Sequence, residues 1–183
     1  MFKTFYVAAS LIAAASSAKP VAANQPFIFF NSLTNMCLQP LHESPVQGVA
    51  IVQEPCKPPI EAQEWLYVQN GSAGYHFKNA LSGLCLDARG KAEDGTPVQQ
   101  WTCDQISNEN WEPPTGPQGK SAGPVHSRVS GSDSFCLNIP GGQKTPDLGM
   151  QILRCNGAVS QKWELRAISP FVPGVVSRPR KTS

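Results

Sequence analysis

The 183-residue chain predicts an all-β domain built from three similar units, on three observations. The cysteines fall into three evenly spaced pairs, Cys37 with Cys56, Cys85 with Cys103 and Cys136 with Cys155, separated by 19, 18 and 19 positions. A tryptophan follows each pair at nearly the same offset: Trp65, Trp111 and Trp163. Self-similarity at a fixed period marks an internal repeat. Finally, the apolar runs are short and punctuated by Gly, Pro, Asn and Asp, and no stretch free of Gly or Pro sustains a long 3.6-residue apolar period. Short strands are therefore expected throughout. Three such units point to a closed or nearly closed barrel, because closure removes the unpaired strand edges.

From its start, Met1 to about Ala23 reads as a secretory signal peptide. Lys3 precedes an apolar core from Phe5 to Ala15, and small residues follow, with cleavage expected after Ala18 or Ala23. The apolar core is too short to span a bilayer of about 30 Å, so the chain is expected to be secreted rather than anchored. What remains, about 160 residues, is by length most simply one domain. A net charge of +2 and only 15% charged residues leave no electrostatic footprint for nucleic acid, whose phosphates need a clustered basic face, so no nucleic-acid partner is expected. Six cysteines, an even number in an exported chain, indicate disulfides rather than metal. No C-x-x-C occurs, and His42, His76 and His126 lie too far apart for ligand spacing. No metal or cofactor is expected. Six cysteines allow fifteen connectivities, and the repeat narrows them to Cys37–Cys56, Cys85–Cys103 and Cys136–Cys155. Each bridge closes a short loop worth about 3 kcal/mol in the chain-entropy picture.

Strand-length runs recur at Phe27 to Phe30, Val49 to Val52, Trp65 to Val68, Tyr75 to Phe77 and Met150 to Leu153. Trp65, Trp111 and Trp163, with Leu38, Leu86 and Leu137 beside their cysteines, are expected in the core.

The stretch from Cys85 to Trp111, CLDARGKAEDGTPVQQWTCDQISNENW, carries the chemistry. It brings together a carboxylate (Asp87), a turn (Asp94-Gly95-Thr96-Pro97), a planar amide (Gln99) and an indole (Trp101), with Asn108 and Glu109 following. A pyranose presents hydroxyls around one less polar face. Planar side chains that give paired hydrogen bonds, beside an aromatic surface for the C–H groups, are what holds it. The pattern resembles the ricin-type lectin family, whose repeats read C-L-D, then Q-x-W shortly before a second Cys, then N-Q-x-W. The resemblance covers about Pro26 to Arg166 and implies a β-trefoil. It sets Asp87 on the family's sugar-binding Asp, Gln99 on its Gln, Trp101 on its stacking aromatic, Asn108 on its Asn and Trp111 on the structural Trp. Glu109 stands where the family has the Gln of the closing Q-x-W. An ionised Glu offers Asp87 only acceptors, so either a proton is taken up or the two carboxylates move apart.

The other units keep the scaffold and lose the site. In the first, Gln39 replaces the Asp and Glu54 the aromatic; in the third, Asn138, Leu153 and Ser160 replace the Asp, the aromatic and the Asn. One working sugar site is expected, for a hexose that the resemblance makes galactose-type. The partners are then glycans, including those on cell surfaces.

Other function classes are weighed against this reading. No G-x-S-x-G or H-E-x-x-H occurs. Asp87 and Glu109 resemble a glycosidase acid–base pair, but the resemblance assigns both to a non-catalytic pocket, so no enzyme is expected. The Pro-rich run Pro113 to Pro124 reads as a solvated loop, and would be the contact loop of a trefoil protease inhibitor. Gly119-Lys120-Ser121 lacks the Gly a phosphate loop requires, Pro114 standing there. Asn70-Gly71-Ser72 is a glycosylation acceptor if the source is eukaryotic. The Pro-rich basic tail, 167 to 183, is expected to be disordered. Its Pro170-Phe171-Val172-Pro173 and Arg178-Pro179 are similar to the tail of the C subunit of cytolethal distending toxins, which implies a cell-binding toxin subunit with partner subunits as a second reading.

Overall fold

A computed structural model describes residues 25–57, 59–114, 122–131 and 134–168. The expected signal peptide, most of the Pro-rich run and the toxin-like tail segment lie outside the described residues. Among the described residues fourteen strands form one antiparallel sheet: β1 (Phe27–Asn31), β2 (Met36–Pro40), β3 (Ile51–Pro55), β4 (Trp65–Gln69), β5 (Tyr75–Asn79), β6 (Cys85–Ala88), β7 (Val98–Trp101), β8 (Trp111–Glu112), β9 (Ala122–Pro124), β10 (His126–Ser127), β11 (Phe135–Asn138), β12 (Leu148–Gly149), β13 (Gln151–Arg154) and β14 (Lys162–Ala167). The only helical pieces among the described residues are single 3-10 turns, and no helix there is long and apolar enough to cross a membrane.

Each unit contributes one hairpin in the same register. Leu38 faces Gln53 in β2–β3, Leu86 faces Gln100 in β6–β7, and Leu137 faces Ile152 in β11–β13. The hairpins are then stitched in a ring. Ala50 bridges Gln99, Pro97 bridges Gln151, and Gly149 pairs with Val52, so each unit touches the next and the third returns to the first. β1 closes the barrel by pairing with β14 as well as with β2 and β4. This is the β-trefoil.

The repeated residues explain the repeated geometry. In each unit the closing Trp is buried and its indole N–H donates to the carbonyl of the Leu beside the first Cys. Trp65 reaches Leu38 at 3.2 Å, Trp111 reaches Leu86 at 2.8 Å and Trp163 reaches Leu137 at 2.9 Å. Burial of a large aromatic and satisfaction of its one polar atom are thus met together. The three Leu are completely buried, and Phe27, Phe29 and Phe77 meet edge to face between them. The bridges are Cys37–Cys56, Cys85–Cys103 and Cys136–Cys155, each within its own unit.

Two asparagines that the sequence reading passed over tie units together. Asn31 Oδ1 accepts the N–H groups of Leu33 and Thr34, while its amide donates to Val159 and Lys162 carbonyls of the third unit. Asn79 does the same within its turn and reaches Ala62 and Glu64 of the first unit. The Pro-rich run is also not loop throughout. Ala122–Pro124 form β9 against β14, with Gly123 opposite Trp163, because the edge of β14 needs a partner for its backbone groups.

Candidate sugar-binding site

The β6–β7 hairpin sets Asp87 directly opposite Gln99. Side chains paired this way share one face of a hairpin, and the Gln99 amide donates to Asp87 Oδ1 at 2.8 Å. That bond fixes the carboxylate and leaves its second oxygen unclaimed by Gln99. Burial raises the Asp87 carboxyl above the ordinary range, the Gln99 bond lowers it, and neighbouring Asp104 adds to the rise. Two residues along β7 from Gln99, Trp101 points to the same face and is half-buried. Gly90, Ile106 and Asn108 complete a shallow pocket of about 200 Å³ with these three residues. The pocket therefore gathers Asp87, Gln99, Trp101 and Asn108 from the sequence reading, and adds Ile106, whose side chain is exposed.

The first unit provides the wall behind Trp101. Gln100, whose side chain alternates to the opposite face, donates to the carbonyls of Ser44 and Val46 at 2.8 and 2.7 Å. The Gly48 N–H donates to the Gln100 carbonyl at 2.8 Å. This draws the segment between β2 and β3 against β7. Gly48, at φ +81, lies so close that an added Cβ would stand 3.4 Å from the Trp101 ring. A side chain there is opposed both by that backbone angle and by the indole.

Glu109 is placed differently from its four companions. It ends the 3-10 turn Ser107–Glu109, is completely buried and does not line the pocket. Its Oε2 accepts the N–H groups of Asp104 and Gln105 at 2.9 and 3.1 Å, and His76 Nε2 stands 3.9 Å away. Its Oε1 is buried with no hydrogen-bond partner among the described residues. Burial is the main cause that pushes the carboxyl up to about 7; the two backbone N–H groups oppose the rise, and Asp87 and Asp104 add to it. Burial lowers the pKa of His76, opposed by its Asn110 contact.

The glutamines at the corresponding positions show what Glu109 lacks. Gln63 Oε1 accepts the Lys57 N–H at 2.9 Å, and its amide donates to Pro55 O at 3.0 Å and Gln39 Oε1 at 2.9 Å. Gln161 Oε1 accepts the Asn156 N–H at 2.9 Å, and its amide donates to Arg154 O at 3.0 Å. Both acceptor carbonyls belong to the residue before the second Cys, which in the middle unit is Thr102.

The first unit has a pocket of about 270 Å³ at the corresponding place, but no Phe, Tyr or Trp lines it. There Gln39 is tied to Gln63, and the surrounding residues are polar: His42, Glu43, Glu54, Lys57 and Asp147. In the third, Ser160 Oγ donates to Asn138 Oδ1 at 3.1 Å, so the chain itself occupies that carboxamide. Two His- and Cys-containing clusters, His76 with Cys85 and Glu109 and His126 with Cys136 and Cys155, have their sulfurs committed to disulfides. Neither therefore has a thiolate to offer a metal.

Comparison with known proteins adds the following. The family model described as the ricin-type beta-trefoil lectin domain matches residues 26–163. No curated protein sequence matches the chain. Among solved structures, the Macrolepiota procera ricin B-like lectin in complex with lactose is 19% identical at a TM-score of 0.68, covering 82% of this chain and 100% of that one. The earthworm R-type lectin C-half in complex with GalNAc is 15% identical at a TM-score of 0.59, covering 79% and 99%. An exo-β-1,3-galactanase from Clostridium thermocellum is 21% identical at a TM-score of 0.72, covering 81% of this chain but 31% of the enzyme. At these identities the likeness is one of fold.

Proposed function

Since the chain belongs to the ricin-type β-trefoil lectin family, we propose that it is a secreted lectin that binds one hexose of a glycan, galactose-type, through its second unit. The observation that carries this reading is the convergence of Asp87, Gln99, Trp101 and Asn108 on one pocket. Asp87 and Asn108 hydrogen-bond adjacent hydroxyls, Trp101 stacks on the less polar sugar face, and Gln99 holds the Asp87 carboxylate in place. The lactose and GalNAc held by two lectins of this fold support a galactose-type ligand here. The galactanase, of which this fold spans 31%, shows the domain can accompany a catalytic one; in this chain the pocket is read as binding without chemistry. The signal-like segment at 1–23 supports secretion, and cell-surface glycans are the partners proposed.

A glycan array probed with the mature protein and with Trp101→Ala tests this. Terminal galactosides should be retained by the first and lost by the second. Retention of the same glycans by folded Trp101→Ala would place the site in another unit, and a blank array for both would remove the lectin reading.

A further inference from the structure

We infer that Glu109 is a positioning residue for the sugar pocket that works as the neutral acid, so that uptake of one proton by Glu109 switches glycan binding on. The inference rests on the lectin reading above and concerns the regulation of that same pocket.

The geometry carries it. In the first and third units the buried side chain at this position has two arms. Its oxygen accepts a backbone N–H after the second Cys, and its amide donates to the carbonyl just before that Cys. The chain flanking the disulfide is thereby clamped from both sides. In the middle unit the first arm is intact, Glu109 Oε2 receiving Asp104 and Gln105. The second arm ends in an oxygen, Oε1, buried and unpartnered. An ionised carboxylate cannot donate, whereas the neutral acid supplies an O–H there, as the amides of Gln63 and Gln161 supply an N–H to the Pro55 and Arg154 carbonyls; the corresponding carbonyl in this unit is that of Thr102. Thr102 adjoins Trp101, and the clamped segment 104–105 leads directly into Ile106 and Asn108, both of which line the pocket. Glu109 thus acts on the sugar through residues that touch it.

Three titratable groups face Glu109 from the elements around it. Asp87 on β6 and Asp104 in the clamped segment both favour the neutral acid. His76 on β5, 3.9 Å away, would favour the carboxylate if protonated; burial is the larger influence and lowers its pKa, against the opposing Asn110 Oδ1 contact at 3.1 Å from Nε2. Cys85, also adjacent, is bridged and does not titrate.

With the Glu109 carboxyl at about 7, the competent fraction rises about tenfold between pH 8 and pH 6, and apparent affinity rises with it. Below that, protonation of Asp87 removes an acceptor the sugar needs. The wild-type profile should therefore be bell-shaped, with Glu109 on its alkaline side and Asp87 on its acid side.

The experiment is calorimetric titration with lactose from pH 4 to 9 on wild type and Glu109→Gln, together with carbon-13 NMR of the side-chain carboxyls and imidazoles in the unliganded wild type. Glu109→Gln supplies the donor at every pH, so it should bind lactose at pH 8 about as tightly as wild type does at pH 6, with only the acid limb left. The NMR should show one buried Glu titrating near neutrality. If both proteins bind lactose with the same pH profile, or the buried carboxyl titrates in the ordinary range, Glu109 is not the switch and the lectin reading stands. If the near-neutral titration belongs to a His76 carbon, the proton sits on the imidazole and the inference is equally overturned. If neither protein binds lactose or any arrayed glycan at any pH, the lectin reading itself has failed and the switch with it.

Discussion

Replacing Trp111 by Phe separates the scaffold from the site with a magnitude that follows from two observations. The indole is completely buried, and its N–H donates to Leu86 O at 2.8 Å. Phe keeps a ring in the slot but removes the donor and part of the ring system. Leaving the Leu86 carbonyl without its indole partner costs about 1–3 kcal/mol. A residual cavity of about 40 Å³ adds about 1 kcal/mol. Trp111→Phe should therefore lose roughly 2–4 kcal/mol, a large share of the stability of a domain this size. Urea unfolding followed by far-ultraviolet circular dichroism measures it without relying on the tryptophan signal being changed. Trp101→Ala, taken from the half-buried wall of the pocket, should move the midpoint little under the same conditions while abolishing glycan binding. The reasoning would be refuted by a Trp111→Phe protein within about 0.5 kcal/mol of wild type, or by a Trp101→Ala protein destabilised as much as Trp111→Phe, since either would mean that core and site have been exchanged.

Two further outcomes concern the disulfides and Glu109. Opening any one bridge by a paired Cys→Ser replacement should lower stability by about 2–5 kcal/mol, and non-reducing peptide mapping of the wild type should recover only links within a unit; one link between units would break the threefold register. Stability should also depend on pH through Glu109. Its carboxyl is raised in the folded protein from 4.5 to about 7, so the fold binds that proton more tightly than the unfolded chain. The resulting contribution is complete below about pH 4.5 and is lost as pH rises through about 7, roughly 3 kcal/mol in all. Chemical denaturation at pH 5 and pH 8 should show this decline in wild type and not in Glu109→Gln; equal slopes in the two proteins would assign it elsewhere.

The parts of the molecule legible in its sequence are those that repeat or that must be large. Cysteine spacing announces the three hairpins because a disulfide holds its two ends at a fixed distance, and Trp65, Trp111 and Trp163 announce the core because few other sites hide an indole. Asp87, Gln99 and Trp101 were legible as one site through the resemblance to the ricin-type repeat; that they share one face follows from the β6–β7 pairing, in which Asp87 faces Gln99 and Trp101 lies two residues further along β7. Glu109 was legible as a departure but not in its depth, since Asn108 and Glu109 are neighbours and only the 3-10 turn sends one toward the pocket and the other inward. The backing of Trp101 by Gly48 was illegible, because it arises from packing of one unit on another and leaves no local pattern. Asn31 and Asn79 had a signal that went unread: each stands six residues before the first Cys of its unit, with Thr34 or Ser82 three residues on.

The pairing of β1 with β14 has a consequence for how such a domain can be used. Phe27 lies opposite Ala167, and the Ile168 N–H donates to Pro26 O at 2.8 Å, so the polypeptide enters and leaves the domain at a single point, about one strand spacing or 4.8 Å apart. A host protein could accept residues 26–168 within a surface turn without spreading the two sides of that turn, and the closed β1–β14 pair would itself act as the clasp. The whole domain can thus be treated as a cassette, moved between chains as an insertion as readily as it is appended to an end.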